Sequence, residues 1–196
     1  VLFTKERESH QFKLTRPVLL IVDLQSYFCH PESPAYLPGV EKILPKVEKL
    51  IKSFKMKGLP IFQTIHRRNS LLMEKWWRAQ VKPEQTKPVF EDHTIITIKK
   101  DTYDAFYNTG LEEALKSLEI EQILIAGVRT HLCVETTARS AFVRGFEVVI
   151  PIDAVFEKDE WRHFSSLKNL GHGFAYLCEV EEILCALESL GQDRPG

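Results

Sequence analysis

At 196 residues the chain is long enough for one domain with a sizeable core, burying roughly 70% of the surface its unfolded form exposes. An apolar share of 44% and a charged share of 27% exclude disorder. A net charge of −1 gives no electrostatic basis for nucleic acid or anionic membrane as the main partner.

The run Val18 to Val22 is too short to span a bilayer, and the mixed charges before it (Lys5, Glu6, Arg7, Glu8, Lys13) are unlike a signal peptide. A cytoplasmic protein is expected, and a start at Val1 leaves room for a native N-terminal extension. Pro17 to Asp23 reads as a central parallel strand, because a continuous apolar run is what a strand covered on both faces requires. A loop rich in proline and aromatic residues follows, from Phe28 to Pro38. A helix is predicted from about Val40 to Lys57, with Ile43, Val47, Leu50, Ile51 and Phe54 on one stripe and Gly58 ending it. Further strands are predicted at Leu59 to Ile65, Thr94 to Ile98, Gln122 to Gly127, Glu147 to Ile152 and Gly173 to Leu177. Helices are predicted at Leu111 to Leu118, from near Cys133 to Gly145, near Glu160 to Leu170, and from Val180 to Leu190. The stretch from Arg67 to His93, with Trp76-Trp77 and several basic residues, fits a short helix and a long loop.

Strands alternating with helices imply an α/β fold. It should be doubly wound, in three layers, with a mostly parallel sheet of about six strands and right-handed crossovers. No boundary divides residues 1–196, so a single domain is expected, its core at about 17–190. Ligands in such sheets bind beyond the carboxyl ends of the strands, where strand order switches. Asp23, Lys100 and Cys133 all fall at or just past such ends.

The four cysteines, Cys29, Cys133, Cys178 and Cys185, form no C-x-x-C pair and no zinc-spaced cluster, so reduced thiols without a structural metal are expected. No G-x-G-x-x-G follows the first strand, and no cofactor is expected. Cys133 is placed to open a helix after a strand. Unpaired N–H groups and the helix dipole there can lower a thiol pKa and stabilise an oxyanion. Against this stands the ordinary fate of a free cysteine, which is burial in a core. A carboxylate ending an apolar strand must be paired or hydrogen-bonded, which makes Asp23 a partner for Lys100 and a proton acceptor for Cys133.

Three segments together resemble the isochorismatase-like cysteine hydrolases, a superfamily that also holds nicotinamidases, N-carbamoylsarcosine amidases and ureidoacrylate amidohydrolases. They are Val22-Asp23-Leu-Gln25-Ser-Tyr-Phe28, Lys100-Asp-Thr-Tyr103-Asp-Ala105-Phe106, and Gly127-Val-x-Thr130-x-x-Cys133-Val134-x-x-Thr137-Ala138, followed by Gly145 and Asp153-Ala154. The resemblance runs from about Pro17 to Leu190. It implies Asp23 as base, Lys100 as bridging cation and Cys133 as nucleophile. It also implies a cis peptide before Arg129, an oxyanion held by the backbone N–H of Arg129 and Cys133, and C–N hydrolysis through a thioester. Lys99 competes with Lys100, which is preferred because it stands three residues before Tyr103. Gln25, Phe28, Tyr103, Arg129 and Trp76 are the expected substrate contacts.

Some positions depart from the pattern. Nicotinamidases of this kind hold a metal on an aspartate-x-histidine after the second strand and a further histidine, whereas here the stretch is Gln63-Thr-Ile-His66-Arg67-Arg68, so no metal is expected. Asp104 stands where serine is common, and Arg129 where many relatives carry a small residue. Its guanidinium would either bind a substrate carboxylate or face solvent. The expected partner is a small amide-type molecule, with neither nucleic acid nor membrane, and the expected assembly a homo-oligomer. The alternatives are a metal-assisted nicotinamidase, a non-catalytic relative acting through protein partners, and a redox sensor built on Cys133, with Cys29 as a second thiol.

Overall fold

The computed structural model describes residues 12–190; the charged residues Lys5, Glu6, Arg7 and Glu8 lie outside them. The apolar runs form parallel strands: β1 (Pro17–Val22), β2 (Ile61–His66), β3 (Ile96–Lys100), β4 (Gln122–Val128), β5 (Glu147–Pro151), β6 (Val155–Phe156) and β7 (Tyr176–Cys178). Six follow the order β3-β2-β1-β4-β5-β7, and β6 pairs with β4 beyond the point where β5 leaves it. Among the described residues the main order thus holds the six strands expected, and β6 is a seventh. A two-residue strand is too short to carry a periodic signal.

Alternation along each strand divides the core in two. Leu19, Ile21, Leu124, Ala126 and Val149 face one side, covered by α2 (Leu44–Met56) through Val47, Leu50 and Phe54 and by α7 (Val180–Ser189) through Ile183 and Leu187. Val18, Leu20, Val22, Ile123, Ile125 and Ile150 face the other. There α4 (Leu111–Ser117), α5 (Glu135–Val143) and α6 (Glu160–Gly173) cover them. Both faces of the central strands are thus buried, which is why β1 and β4 read as unbroken apolar runs rather than alternating ones.

Two short helices fall where loops were expected: α1 (Ser26–Cys29), and a 3-10 turn at Pro83–Thr86 within the segment that also carries α3 (Leu71–Trp77). The α3 helix is capped by the Ser70 hydroxyl, which accepts from the Met73 N–H. The predicted strand Gly173 to Leu177 begins three residues late, because α6 continues to Gly173.

The chain winds outward from β1 to β2 and β3 on one side and, through β4, to β5 and β7 on the other. Strand order thus reverses between β1 and β4, where a crevice opens at the carboxyl ends. Gly127 makes this junction possible. Its φ is +119°, and a Cβ there would lie 2.1 Å from the Val22 carbonyl oxygen.

Candidate active site

One face of the sheet turns from apolar to polar at its carboxyl edge. Leu20 is in register with Phe62, then Val22 with Thr64, and His66 with Lys100. In a parallel sheet, residues in register share a face, so Thr64, His66 and Lys100 continue the side that buries Val18, Leu20 and Val22. Asp23 follows immediately, with φ of +53°, a left-handed conformation that Asp adopts more readily than most residues. Thr64 locks it there: Asp23 N–H donates to Thr64 Oγ1 at 3.1 Å, and that hydroxyl donates to Asp23 Oδ1 at 2.6 Å.

Lys100 Nζ lies 2.7 Å from Asp23 Oδ2, both side chains fully inaccessible, and also donates to the Thr102 carbonyl at 2.8 Å. Burial alone would lower the ammonium's pKa, but Asp23 and Cys133 outweigh it and hold it above its ordinary value. Lys99, one residue earlier, is exposed, because strand alternation turns it to the opposite face.

Cys133 completes the group, within hydrogen-bonding reach of both Asp23 and Lys100. It sits in a π-helical turn, Thr130–Val134, ahead of α5 rather than in the first turn of an α-helix. The Val128–Arg129 peptide before the turn is cis. The turn is pinned to α6, where Ser166 Oγ donates to the Thr130 carbonyl at 3.1 Å and Thr130 Oγ1 meets His163 Nδ1 at 2.9 Å.

One expectation is corrected here. Helix position suggested a lowered thiol pKa, but burial pushes the Cys133 thiol up to about 12 against the pull of Lys100, with Asp23 adding to the rise. Cys133 is 3% exposed, whereas Cys185 is exposed.

A cavity of about 220 Å³ opens above Cys133, walled by Tyr27, Phe28, Tyr36, Trp77 and Tyr103 with Arg129 and Lys158 at its edge. Of the residues expected against substrate, Phe28, Tyr103 and Arg129 line this cavity. Gln25 does not. It is fully buried, and its amide donates to the His66 and Gln85 carbonyls at 3.0 and 3.1 Å and accepts from His66 N–H at 2.7 Å, tying β1 to β2 and the 3-10 turn. Trp76 is corrected as well, being 72% exposed and outside the cavity wall. Its neighbour Trp77 lines the cavity instead and donates from Nε1 to Tyr103 Oη at 2.7 Å. Asp104 faces α5, where Oδ2 accepts from Ser140 Oγ at 2.7 Å, and it caps the local turn by accepting from Phe106 N–H at 2.9 Å. A larger hollow of about 330 Å³, lined by Phe12, Gln122, Glu147 and Tyr176 among others, holds none of Asp23, Lys100 and Cys133.

Glu157 carries no motif and was missed from sequence. It is buried, and Arg129 grips it through Nε and Nη2 at 2.7 and 2.8 Å, with His131 Nδ1 at 3.0 Å. Arg129 is thus neither free for a bidentate substrate contact nor turned to solvent. Burial would raise the Glu157 carboxyl, but His131 and Arg129 hold it down at about 2, from an ordinary 4.5. A lowered folded-state value stabilises the protein above the unfolded pKa and is lost as pH falls toward the folded one. Native protein should therefore lose on the order of 3 kcal/mol between about pH 5 and pH 2 through this group. Urea unfolding across that range measures the loss. Glu157→Gln should be less stable at neutral pH, because Arg129 loses its buried partner, and should lack that part of the acid slope.

Cys29 packs with the cluster on the face opposite that of Cys133, and burial raises its thiol to about 11. None of the four cysteines is joined in a disulfide. Among the described residues no helix is long and apolar enough to cross a membrane.

The isochorismatase domain model matches residues 17–182. Nicotinamidase 3 of Arabidopsis thaliana is 32% identical over 177 residues, covering 84% of this chain and 85% of that protein. N-carbamoylsarcosine amidase of an Arthrobacter species is 24% identical, covering 90% of this chain and 73% of that one. The crystal structure of a cysteine hydrolase from Pseudomonas syringae pv. phaseolicola superposes with a TM-score of 0.86 at 20% identity, covering 91% of this chain and 96% of that one. The fold is that of an isochorismatase-like α/β protein. The chain belongs to the isochorismatase family.

Proposed function

We propose that this chain is an amidohydrolase that cleaves a C–N bond of a small amide, ureide or carbamoyl compound, with Cys133 as nucleophile. The observation that supports it best is the fully buried Asp23–Lys100 pair, 2.7 Å apart, beside a thiol at the base of an aromatic-walled cavity. A buried ion pair gives little net stability, so its place against the one cysteine on the cavity wall favours a chemical role.

The resting thiol fits general-base catalysis. Asp23 takes the thiol proton as sulfur attacks the carbonyl, and Lys100 offsets the negative charge the two groups share. The backbone N–H groups of Arg129 and Cys133 stabilise the tetrahedral oxyanion. Collapse expels the amine with the proton from Asp23 and leaves a thioester. Water, deprotonated by Asp23, hydrolyses the thioester to the acid and regenerates the thiol.

The nicotinamidase type implies a metal at the end of β2. Here Thr64 stands in the carboxylate position and donates to Asp23, while His66 is bonded to the neutral Asn69 amide and lies in register with the Lys100 ammonium. One imidazole beside a buried cation does not suit a divalent ion. Screening small amides (nicotinamide among them), N-carbamoyl compounds and ureido acids for ammonia release is the test. Native protein should release it from at least one class, Cys133→Ala from none, and EDTA should leave the rate unchanged. Release by Cys133→Ala, or loss on chelation with recovery on adding zinc, iron or manganese, would overturn the reading.

A further inference from the structure

The turn that carries Cys133 is anchored by a buried carboxylate to which the hydrolytic mechanism gives no task. Arg129 directly follows β4 and Glu157 directly follows β6, and the residues before them, Val128 and Phe156, are in register. The two side chains therefore leave the sheet side by side. That of Glu157 is wholly inaccessible and that of Arg129 only 15% exposed. Oε2 accepts from Arg129 Nε at 2.7 Å and Oε1 from Nη2 at 2.8 Å, a fork that fixes orientation as well as distance. Oε2 also lies 3.0 Å from His131 Nδ1, two residues further along the turn. Arg129 in its turn closes the π-helical turn: its carbonyl accepts from the N–H groups of Leu132 and Val134, the neighbours of Cys133, at 3.1 and 3.2 Å. One carboxylate thus grips the residue on which the nucleophile's turn is built. Stability alone does not call for this, because apolar residues in place of a buried ion pair often serve as well or better.

We infer that Glu157 is a positioning residue: by clamping Arg129 it holds the Arg129 backbone N–H and the Cys133 sulfur at the spacing one carbonyl group needs, so that attack and charge stabilisation fall on the same substrate. This rests on the proposed amidohydrolase reading, in which that N–H meets the oxyanion. Arg129 lines the cavity and Glu157 does not, so Glu157 acts through Arg129. Preorganised donors are effective because they need not move as charge develops, and a misplacement near 1 Å can cost about 10²-fold in rate.

Three measurements test this in the full chain. Glu157→Gln should lower kcat for whichever amide the native protein hydrolyses by about 10- to 100-fold, with KM within about 3-fold. Arg129→Lys, which keeps the charge but not the fork, should fall between Glu157→Gln and native. Benzaldehyde labelled with carbon-13 at the carbonyl is the second probe. It adds reversibly to the thiol: sulfur bonds the carbonyl carbon, the π pair moves to oxygen, and the thiol proton follows through Asp23. NMR should show this adduct with native protein, and Glu157→Gln should weaken it about as much as it lowers kcat. Benzamide binding in a Cys133→Ala background should change by no more than about 2-fold. Third, Arg129→Met with Glu157→Leu should recover the stability that Glu157→Gln loses in urea, yet stay as slow. No adduct with native protein, equal weakening of aldehyde and benzamide, or a double variant that regains kcat along with stability would overturn the inference. If native protein hydrolyses no amide, the amidohydrolase reading fails, and the aldehyde measurement still decides whether Glu157 positions the site.

Discussion

Asp23→Asn is expected to leave the fold intact and to lower kcat/KM by about 10²–10⁴-fold, the usual scale for a positioned general base. The asparagine can still accept from Thr64, which holds Asp23 now, so the loss should lie in chemistry rather than in placement. Lys100→Ala should cost as much activity and more stability. It leaves a fully buried carboxylate without its counter-charge, and breaking such a pair typically costs about 3–5 kcal/mol. Lys100→Met, which fills the volume, separates the electrostatic loss from the cavity.

Asp23→Asn combined with Lys100→Met should be far less impaired than the product of the single losses, because groups acting as one unit are not additive. It should also be more stable than Lys100→Met alone, since no buried charge is stranded. Cys133→Ser should abolish turnover. Lys99→Ala is the control, exposed on the opposite face, and should be nearly neutral. Steady-state kinetics and urea unfolding on the same set measure both outcomes. Multiplicative losses, or a Lys99→Ala defect as large as that of Lys100, would show the unit to be wrongly assigned.

Gly127→Ala should damage fold and site together. The new Cβ would meet the Val22 carbonyl oxygen at 2.1 Å, backbone that cannot swing aside as a side chain could, and the φ of +119° is poorly tolerated by any other residue. Overpacking costs about 1–3 kcal/mol and the strained backbone about 1–3 more, so the unfolding free energy should drop by several kcal/mol. Val22 directly precedes Asp23 and Gly127 leads into the turn carrying Cys133. Forcing β1 from β4 therefore moves base from nucleophile, and a displacement near 1 Å can cost about 10²-fold in rate. Thermal unfolding and kcat on the surviving folded fraction test the two effects separately. Gly145→Ala is the comparison, also at positive φ (+88°) but with open space around it, and should lose stability with little change in kcat.

Much of this was legible in the chain before any tertiary structure. Periodicity showed β1 and β4 as buried strands because they are covered on both faces. The endings of these strands placed Asp23 and Cys133 at the carboxyl edge. Lys100 could be preferred over Lys99 only through the spacing to Tyr103; in the fold, strand alternation explains the difference.

Other features were out of reach for physical reasons. The thiol pKa depends on how deeply Cys133 is buried between Asp23 and Lys100, and position after a strand suggested the opposite sign. Gln25 and Trp76 were expected against substrate, but Gln25 satisfies backbone groups at the end of β2 and on the 3-10 turn, while one residue along α3 separates exposed Trp76 from cavity-lining Trp77. Glu157 has no local signature, because its meaning comes from Arg129 and His131 nearly thirty residues away. The sequence by itself determined the layer order, the sheet and the strand-end residues, since these follow from short-range patterning of apolar and polar side chains. Only the tertiary structure decided which polar atoms are buried together and which of them lack a partner, because desolvation and charge pairing depend on contacts between residues distant in the chain.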